Sequence, residues 1–314
     1  MRLVVQRVAR LVLTLFTVTF LSFAAMNVIG EPLVNILGAA ALDPVNYGDE
    51  IAEAEAKYHL DEPFLVRYGL WVGDLVSGDL GRSFVNDESV SKIVAEKLPV
   101  TLWLVALTQL IAVSVAVPWA VLAASKPRGV RDSASTVSSF AMVSMPEFAV
   151  GVVLFYLLVV RWQLLPSRYD DSSIAARIQS LLAPAITLAI PLAATYQRVL
   201  HSELMLVMRA PFIAFARAKG VPPRTVLWRH ALRPASFGLI TTVGVSTGAL
   251  IGGSLVIEQI FSIPGAGTEI VSAIIRDDLP TVLAFVVVMS VGFVVVNWLV
   301  DLLYVLLDPR LRRP

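Results

Sequence analysis

The sequence predicts an all-α membrane protein. It has six transmembrane helices, both termini cytoplasmic, a helical outer segment between spans 1 and 2, and a cytoplasmic hairpin between spans 4 and 5. Composition is the first reason. Of the 314 residues 57% are hydrophobic and 16% charged, against about 45–50% and about 25% in soluble domains. The second is the length of the apolar runs. Six of them, roughly 11–29, 100–124, 136–160, 183–200, 236–260 and 281–306, reach the ~17–25 residues that a helix needs to cross the hydrocarbon layer. The third is charge placement. With an inside amino terminus, 16 of the 25 Lys and Arg residues fall in inner segments and 18 of the 24 acids in outer ones. Cytoplasmic loops favour Lys and Arg, so this bias sets the orientation.

The first run follows Arg2, Arg7 and Arg10. It exceeds the 7–15 apolar residues of a signal peptide, and it reads as a retained span. The outer segment after it, about residues 30–99, is too long to be structureless in a compact chain. Asp61 is placed to cap a helix, Pro63 suits its first turn and Gly78 can end it. Between them Phe64, Tyr68, Trp71 and Leu75 form one apolar stripe. The stripe reads either as a cover over the span tops or as a docking surface for an extracytoplasmic partner.

In the third run Pro146 breaks or bends the helix, and Glu147 follows it. An ionisable group at membrane depth is costly and therefore a functional candidate. Glu147 either faces a cavity or pairs with a neighbouring donor that holds the kink. Pro118, Pro184 and Pro191 mark further kinks. The fifth run carries Gly244, Gly248 and Gly252 at four-residue spacing, with Ser246 and Ser254 nearby. Small residues so spaced let helix backbones approach closely in lipid, and the same face is a candidate pathway lining. Glu258, near the outer end, is a candidate gate or cavity contact at the membrane interface. Asp301, Tyr304 and the terminal arginines read as inner-interface anchors.

Between the fourth and fifth runs stands "FARAKGVPPRTVLWRHALRPA", Phe215 to Ala235. Pro211 opens a short helix, Gly220 can end it in the left-handed conformation, and Pro222 and Pro223 begin a second. The result is a basic hairpin with Phe212, Phe215, Val226, Leu227 and Trp228 to bury. A loop that only returned the chain to the bilayer has no need of those aromatics. The cations alone satisfy the inner-side charge rule and suit anionic membrane lipid, but they explain neither Gly220 nor the apolar knobs.

Several chemistries are excluded. The chain has no cysteine and only three histidines, His59, His201 and His230, on different assigned sides, so neither thiolate chemistry nor a three-histidine metal site is expected. It has no phosphate-binding G-x-x-x-x-G-K-[ST] loop, H-E-x-x-H helix or G-x-S-x-G elbow. No bound cofactor, no metal and no enzyme activity of its own are expected. A net charge of +1 and tethering of the hairpin between spans argue against nucleic acid.

The residues resemble the integral-membrane permease subunits of binding-protein-dependent ABC importers, in the dipeptide/oligopeptide/nickel branch. Ala216–Gly220, "ARAKG", and Arg229–Arg233, "RHALR", are similar to the core of that family's EAA loop. Ala214 and Phe215 stand where its acid and first alanine would be, and Pro234 comes one residue late. "LDEPFLVRYGLWVGDLVSGDLGRSF" (60–84), "GGSLVIEQIFSIPGAGTEIV" (252–271) and "LVDLLYVLLDPRLR" (299–312) extend the resemblance over nearly the whole chain.

The resemblance implies a division into residues 1–97 (first span and outer segment), 98–308 (the importer transmembrane domain) and 309–314 (cytoplasmic tail). It implies that Phe212, Phe215, Ala216, Arg217, Lys219, Gly220, Pro223, Arg229, His230 and Arg233 form an ATPase-coupling loop. There Gly220 lets the turn pack closely. The partners implied are a second homologous permease, two ATPases that carry ATP and Mg, and a solute-binding protein, at the bacterial inner membrane. Its pathway candidates here are Glu147, Gly244, Ser246, Gly248, Gly252 and Glu258. Di- or oligopeptide is the implied cargo, with nickel or another small solute as the alternative. An ion-coupled secondary transporter using Glu147 or Glu258 is the competing class, and it has no need of such a hairpin.

Overall fold

The computed structural model describes residues 2–29, 32–57, 59–127 and 129–307. The helices are α1 (Arg2–Ile29), α2 (Pro32–Leu37), α3 (Pro44–Lys57), α4 (Phe64–Ser77), α5 (Val90–Ala124), α6 (Val130–Ser144) and α7 (Glu147–Leu154). They continue with α8 (Ile174–Val207), α9 (Pro211–Ala218), α10 (Pro223–Thr225), α11 (Leu232–Gly253), α12 (Leu255–Ile260), α13 (Ala266–Ile275) and α14 (Leu279–Leu307). Among the described residues the only strand-like pairing is an isolated antiparallel bridge between Arg82 and Ser89. The protein is an all-α membrane protein. The anchors expected at Asp301 and Tyr304, the terminal arginines and the tail at 309–314 lie outside what is described.

Among the described residues four continuous helices are long and apolar enough to cross a bilayer: Val90–Ala124, Ile174–Val207, Pro223–Gly253 and Leu279–Val300. The predicted third span is not one straight helix. α6 and the helix from Glu147 to Arg161 meet at 93°, because Pro146 removes a backbone donor and clashes with the preceding turn. Counted as one span, this pair makes a fifth. In α1 the apolar stretch identified is Val12–Ala25. Pro118 leaves α5 uninterrupted, and Pro184 and Pro191 lie inside α8 without ending it.

The chain forms two compact units, Met1–Pro99 with Thr268–Val294, and Val100–Gly267 with Val295–Pro314. In the first, the stripe on α4 is already occupied. Tyr68 meets Phe20 at 5.3 Å between ring centroids, Trp71 meets Phe23 at 5.4 Å, and Phe64 meets Phe23 at 5.5 Å. The hydroxyls of Thr19 and Tyr68 share a 2.9 Å hydrogen bond. The stripe therefore packs on α1 and is not a free docking face. Gly78 ends α4 at φ 89°, as expected. Asp61 does not cap it: Pro63 occupies the cap position and no side chain bonds there.

Beyond Gly78 the chain folds into a pinned loop. The buried Asp278 carboxylate accepts the Ser83 hydroxyl at 2.6 Å, the Phe84 N–H at 3.0 Å and the Thr281 hydroxyl at 2.7 Å. On the exposed side, Lys92 donates to Glu88 at 2.7 Å and holds the Glu88 carboxyl below its ordinary range.

The second unit is built on small residues. Ala112, Ala116, Ala120 and Ala124 of α5 are buried at four-residue spacing, against Ala189, Ala193, Tyr196 and Leu200 of α8. Methyl-sized side chains let two helix backbones approach, which is how helices associate where lipid removes the hydrophobic drive. Ile213, Val226, Leu227, Ala231 and Ala235 extend the same core. Polar ties cross it. The Tyr196 hydroxyl donates to Gln109 at 2.8 Å, and Gln109 donates to Thr247 at 2.9 Å. Gln197 donates to Ser135 at 2.6 Å. His201 and Asp132 approach at 3.1 Å, without the alignment of a hydrogen bond.

Candidate functional site

The hairpin begins where α8 stops. Pro211 takes the first position of α9, where its missing N–H costs nothing. Gly220 then adopts φ +78°, and its N–H reaches the Arg217 carbonyl at 2.9 Å while the Val221 N–H reaches Ala216 at 3.2 Å. These bonds satisfy carbonyls that the helix end leaves open. A Cβ at Gly220 would meet nothing within 4 Å. Within the chain, glycine is needed here for its backbone conformation, and the space beside it is open. The second limb is also different from a separate short helix. It starts at Pro223, passes through a π-wound stretch at Val226–Ala231, and continues unbroken to Gly253.

This continuity divides the hairpin into two faces. Ile213, Ala216, Val226, Leu227 and Ala231 are buried in the core of the second unit. Phe212, Phe215 and Trp228 stay 48%, 61% and 42% exposed. The reason is helical phase: Ile213 and Ala216 lie about 100° round α9 from Phe212 and Phe215 respectively, so the side turned to the core takes the first pair and leaves the aromatics at its edge. Arg217, Lys219, Arg224, Arg229, His230 and Arg233 are exposed beside them. Lys219 Nζ lies 4.6 Å from the Phe215 ring centre, a cation–π placement. Among the described residues none of these cations enters an ion pair. Pro223, at the root of the second limb, is exposed too. The surface therefore offers aromatic knobs and unpaired positive charge on a base fixed by the core.

The pathway candidates do not come together in one place. Gly244 packs so closely on α14 that a Cβ there would overlap Val300. Gly248 is buried and Ser246 half-buried, while Gly252 has open space around it. Glu147 opens α7 at the bend, exposed and, among the described residues, without a hydrogen-bond partner.

Glu258 behaves differently from the contact group expected at a membrane interface. It is wholly buried. Thr101 donates to its Oε1 at 2.6 Å and Ser254 at 3.0 Å, and the Ala266 N–H in turn donates to Thr101 Oγ1 at 2.9 Å. Gly265 and Gly267 leave room for it: a Cβ on either would lie 2.5 or 2.9 Å from Oε2. Gly151 on α7 likewise lets Ile257 and Ile260 of α12 approach. Thr101, Ser254, Gly151 and the Gly265–Gly267 pair were not singled out as partners in the sequence. The I-P-G-A-G string after a buried acid was the available signal.

The family model for the binding-protein-dependent transport system inner membrane component matches residues 116–313. The chain belongs to this family. It is a multi-pass bacterial inner-membrane protein and a membrane subunit of a transport system. It is 33% identical to the oligopeptide transport system permease protein AppB of Bacillus subtilis, over 98% of each chain. It is 32% identical to the oligopeptide permease protein OppB of Salmonella typhimurium over 99% of each, and 33% identical to the di/tripeptide permease protein DppB of Pseudomonas aeruginosa over 98% of each. The inner-membrane component thus matches these relatives along nearly its whole length, including the stretch before residue 116 that the family model leaves out.

Proposed function

We propose that the chain forms half of the translocation pathway of an ATP-driven importer for di- or oligopeptides. One observation carries this reading: the hairpin is rooted in the core on one face and presents unpaired cations with exposed aromatics on the other. That is the surface a separate motor needs. Buried knobs give the contact its energy, and charge sets its register. Phe212, Phe215 and Lys219 are the contact, and Arg229, His230 and Arg233 its flank. Because the second limb is continuous with α11 from Pro223 to Gly253, a push on Trp228 or Arg229 travels along one helix into the membrane.

The remaining parts follow from this. Six spans with both termini cytoplasmic put the hairpin inside, in line with the Lys and Arg bias. Residues 1–97 form the first span and outer segment, 98–308 the transport domain and 309–314 a tail. A second permease completes the pathway along the Gly244–Gly252 side, two ATPases bind ATP and Mg, and an extracytoplasmic binding protein delivers cargo. The names of the relatives favour peptide as that cargo.

The test is copurification. The chain, solubilised from its native membrane, should bring down an ATPase and a second permease, with ATP hydrolysis stimulated by peptide-loaded binding protein. Phe215→Asp with Lys219→Asp should abolish that association while the chain still inserts. A lone chain that moves solute in vesicles without any ATPase would overturn the reading.

A further inference from the structure

The hairpin has a second feature, distinct from the Phe212 and Phe215 knobs. Between its second limb and the end of α5 lies an open groove of about 870 Å³. Leu122, Met205, Leu227 and Trp228 line it with apolar surface, and Arg209, Arg217 and Arg224 stand around it. No Asp or Glu lines it, and among the described residues none of the three arginines has an ion-pair partner. Arg217 makes only a weak 4.0 Å contact with the Met208 sulfur. Leu122 is 55% exposed although it sits one turn from the end of a membrane-spanning helix.

We infer that this groove binds an anionic phospholipid of the inner leaflet, with its phosphate among Arg209, Arg217 and Arg224 and an acyl chain against Leu122 and Trp228. The argument is one of complementarity. Three guanidinium groups form planar forks of donors suited to phosphate oxygens. Apolar surface continuous with the end of a span suits a chain that leaves the bilayer core. A soluble anion would make no use of the apolar wall, and an acyl chain alone would make no use of the arginines. Basic pockets between transmembrane helices on the cytoplasmic side bind anionic head groups in this way. Arg217 belongs to α9 and Arg224 to α10, so the lipid spans both limbs of the hairpin and ties them to α5. The inference uses the inner-side orientation of the hairpin, and it is independent of the cargo.

The experiment is native mass spectrometry of the assembled complex and of the full chain alone, both released from nanodiscs of mixed phosphatidylglycerol and phosphatidylcholine. Retained phosphatidylglycerol should exceed phosphatidylcholine on both. The triple variant Arg209→Gln/Arg217→Gln/Arg224→Gln should lower its retention about tenfold or more. Arg131→Gln, which removes an exposed charge on α6 outside both the groove and the hairpin, should leave it unchanged. Thermal unfolding checks that the triple variant is folded. If it is not, the single Arg209→Gln chain, whose substitution precedes the hairpin, should still show a partial loss. Equal retention by wild type and folded variant overturns the inference, as does an equal loss in Arg131→Gln. Retention by the chain alone but not by the complex also overturns it, because the groove is then covered by a protein partner. Failure of the complex to contain an ATPase would overturn the proposed function and leave the lipid result standing on the isolated chain.

Discussion

The Thr101 hydroxyl donates to Glu258 Oε1 at 2.6 Å in a fully buried site, and it accepts the Ala266 N–H at 2.9 Å from the other side. One hydroxyl thus ties α5, α12 and the start of α13 together around a single carboxylate. Burying a charge-capable group is expensive unless its oxygens are satisfied. The surrounding chain has been shaped to satisfy them.

The fit can be tested by a double-mutant cycle. Gly265→Ala places a methyl 2.5 Å from Glu258 Oε2 and 2.7 Å from Thr101 Oγ1. It should cost about 1–3 kcal/mol by overpacking. In a Glu258→Ala background the same change should cost clearly less, because the atom it strikes is gone. Thermal unfolding of the four detergent-solubilised chains gives the coupling. Simple additivity would show that Oε2 does not fill the space under Gly265.

Gly244 and Val300 make a second such pair. Gly244→Ala should weaken the contact of α11 with α14 by about 1–3 kcal/mol, and Val300→Ala should restore most of the loss. The readout is retained fold after mild heating, followed by size-exclusion chromatography. No rescue would mean that Gly244 matters for backbone flexibility and not for close approach.

On the hairpin, neighbouring residues should separate stability from association. Ile213→Ala, at a position with no exposed surface, should cost about 2–5 kcal/mol. Phe215→Ala, 61% exposed, should leave unfolding nearly unchanged and reduce ATPase copurification. Equal destabilisation by both would remove the two-faced description of α9.

At Gly220 the expected penalty is backbone strain alone, about 1–2 kcal/mol for an L residue held left-handed. Gly220→Ala and Gly220→Tyr should therefore be about equally stable, since neither meets a neighbour within the chain. Peptide-stimulated ATP hydrolysis should nevertheless fall much further with tyrosine, which projects into the space a partner would fill. Equal coupling in both variants would count against a docked partner at that turn.

Acid should loosen the loop between α4 and α5. The Glu88 carboxyl is held below its ordinary 4.5, first by its hydrogen bond from Lys92. A depressed carboxylate stabilises the fold above its unfolded value, and the contribution disappears as pH falls through the lower folded value. Amide exchange around residues 83–90 should therefore speed up below about pH 4.5, beyond the intrinsic change, and Glu88→Gln should remove that dependence. A pH-independent loop in the wild type would show that the pair holds nothing.

Much of this protein was legible in its residues. Apolar runs and cation placement determined an all-α membrane chain, because lipid leaves backbone groups no partner outside a helix. Pro146 marked the 93° bend and Gly78 and Gly220 marked helix ends, because proline lacks a donor and glycine alone enters the left-handed region freely. The hairpin was legible as a string. Its two faces were not. That Ile213 and Ala216 go inward while Phe212, Phe215 and Trp228 remain outside depends on which side of α9 meets the alanine-lined seam of α5 and α8. Hydrophobicity ranks phenylalanine above alanine and so points the wrong way. Glu258 shows the same limit. Its own segment announces an acid near a membrane surface, yet its donors lie 157 residues earlier at Thr101 and four residues earlier at Ser254. Local pattern fixes what each helix is. Which polar groups meet in the interior is decided only when distant segments pack, since burial makes a group costly or stable according to neighbours that the chain order does not reveal.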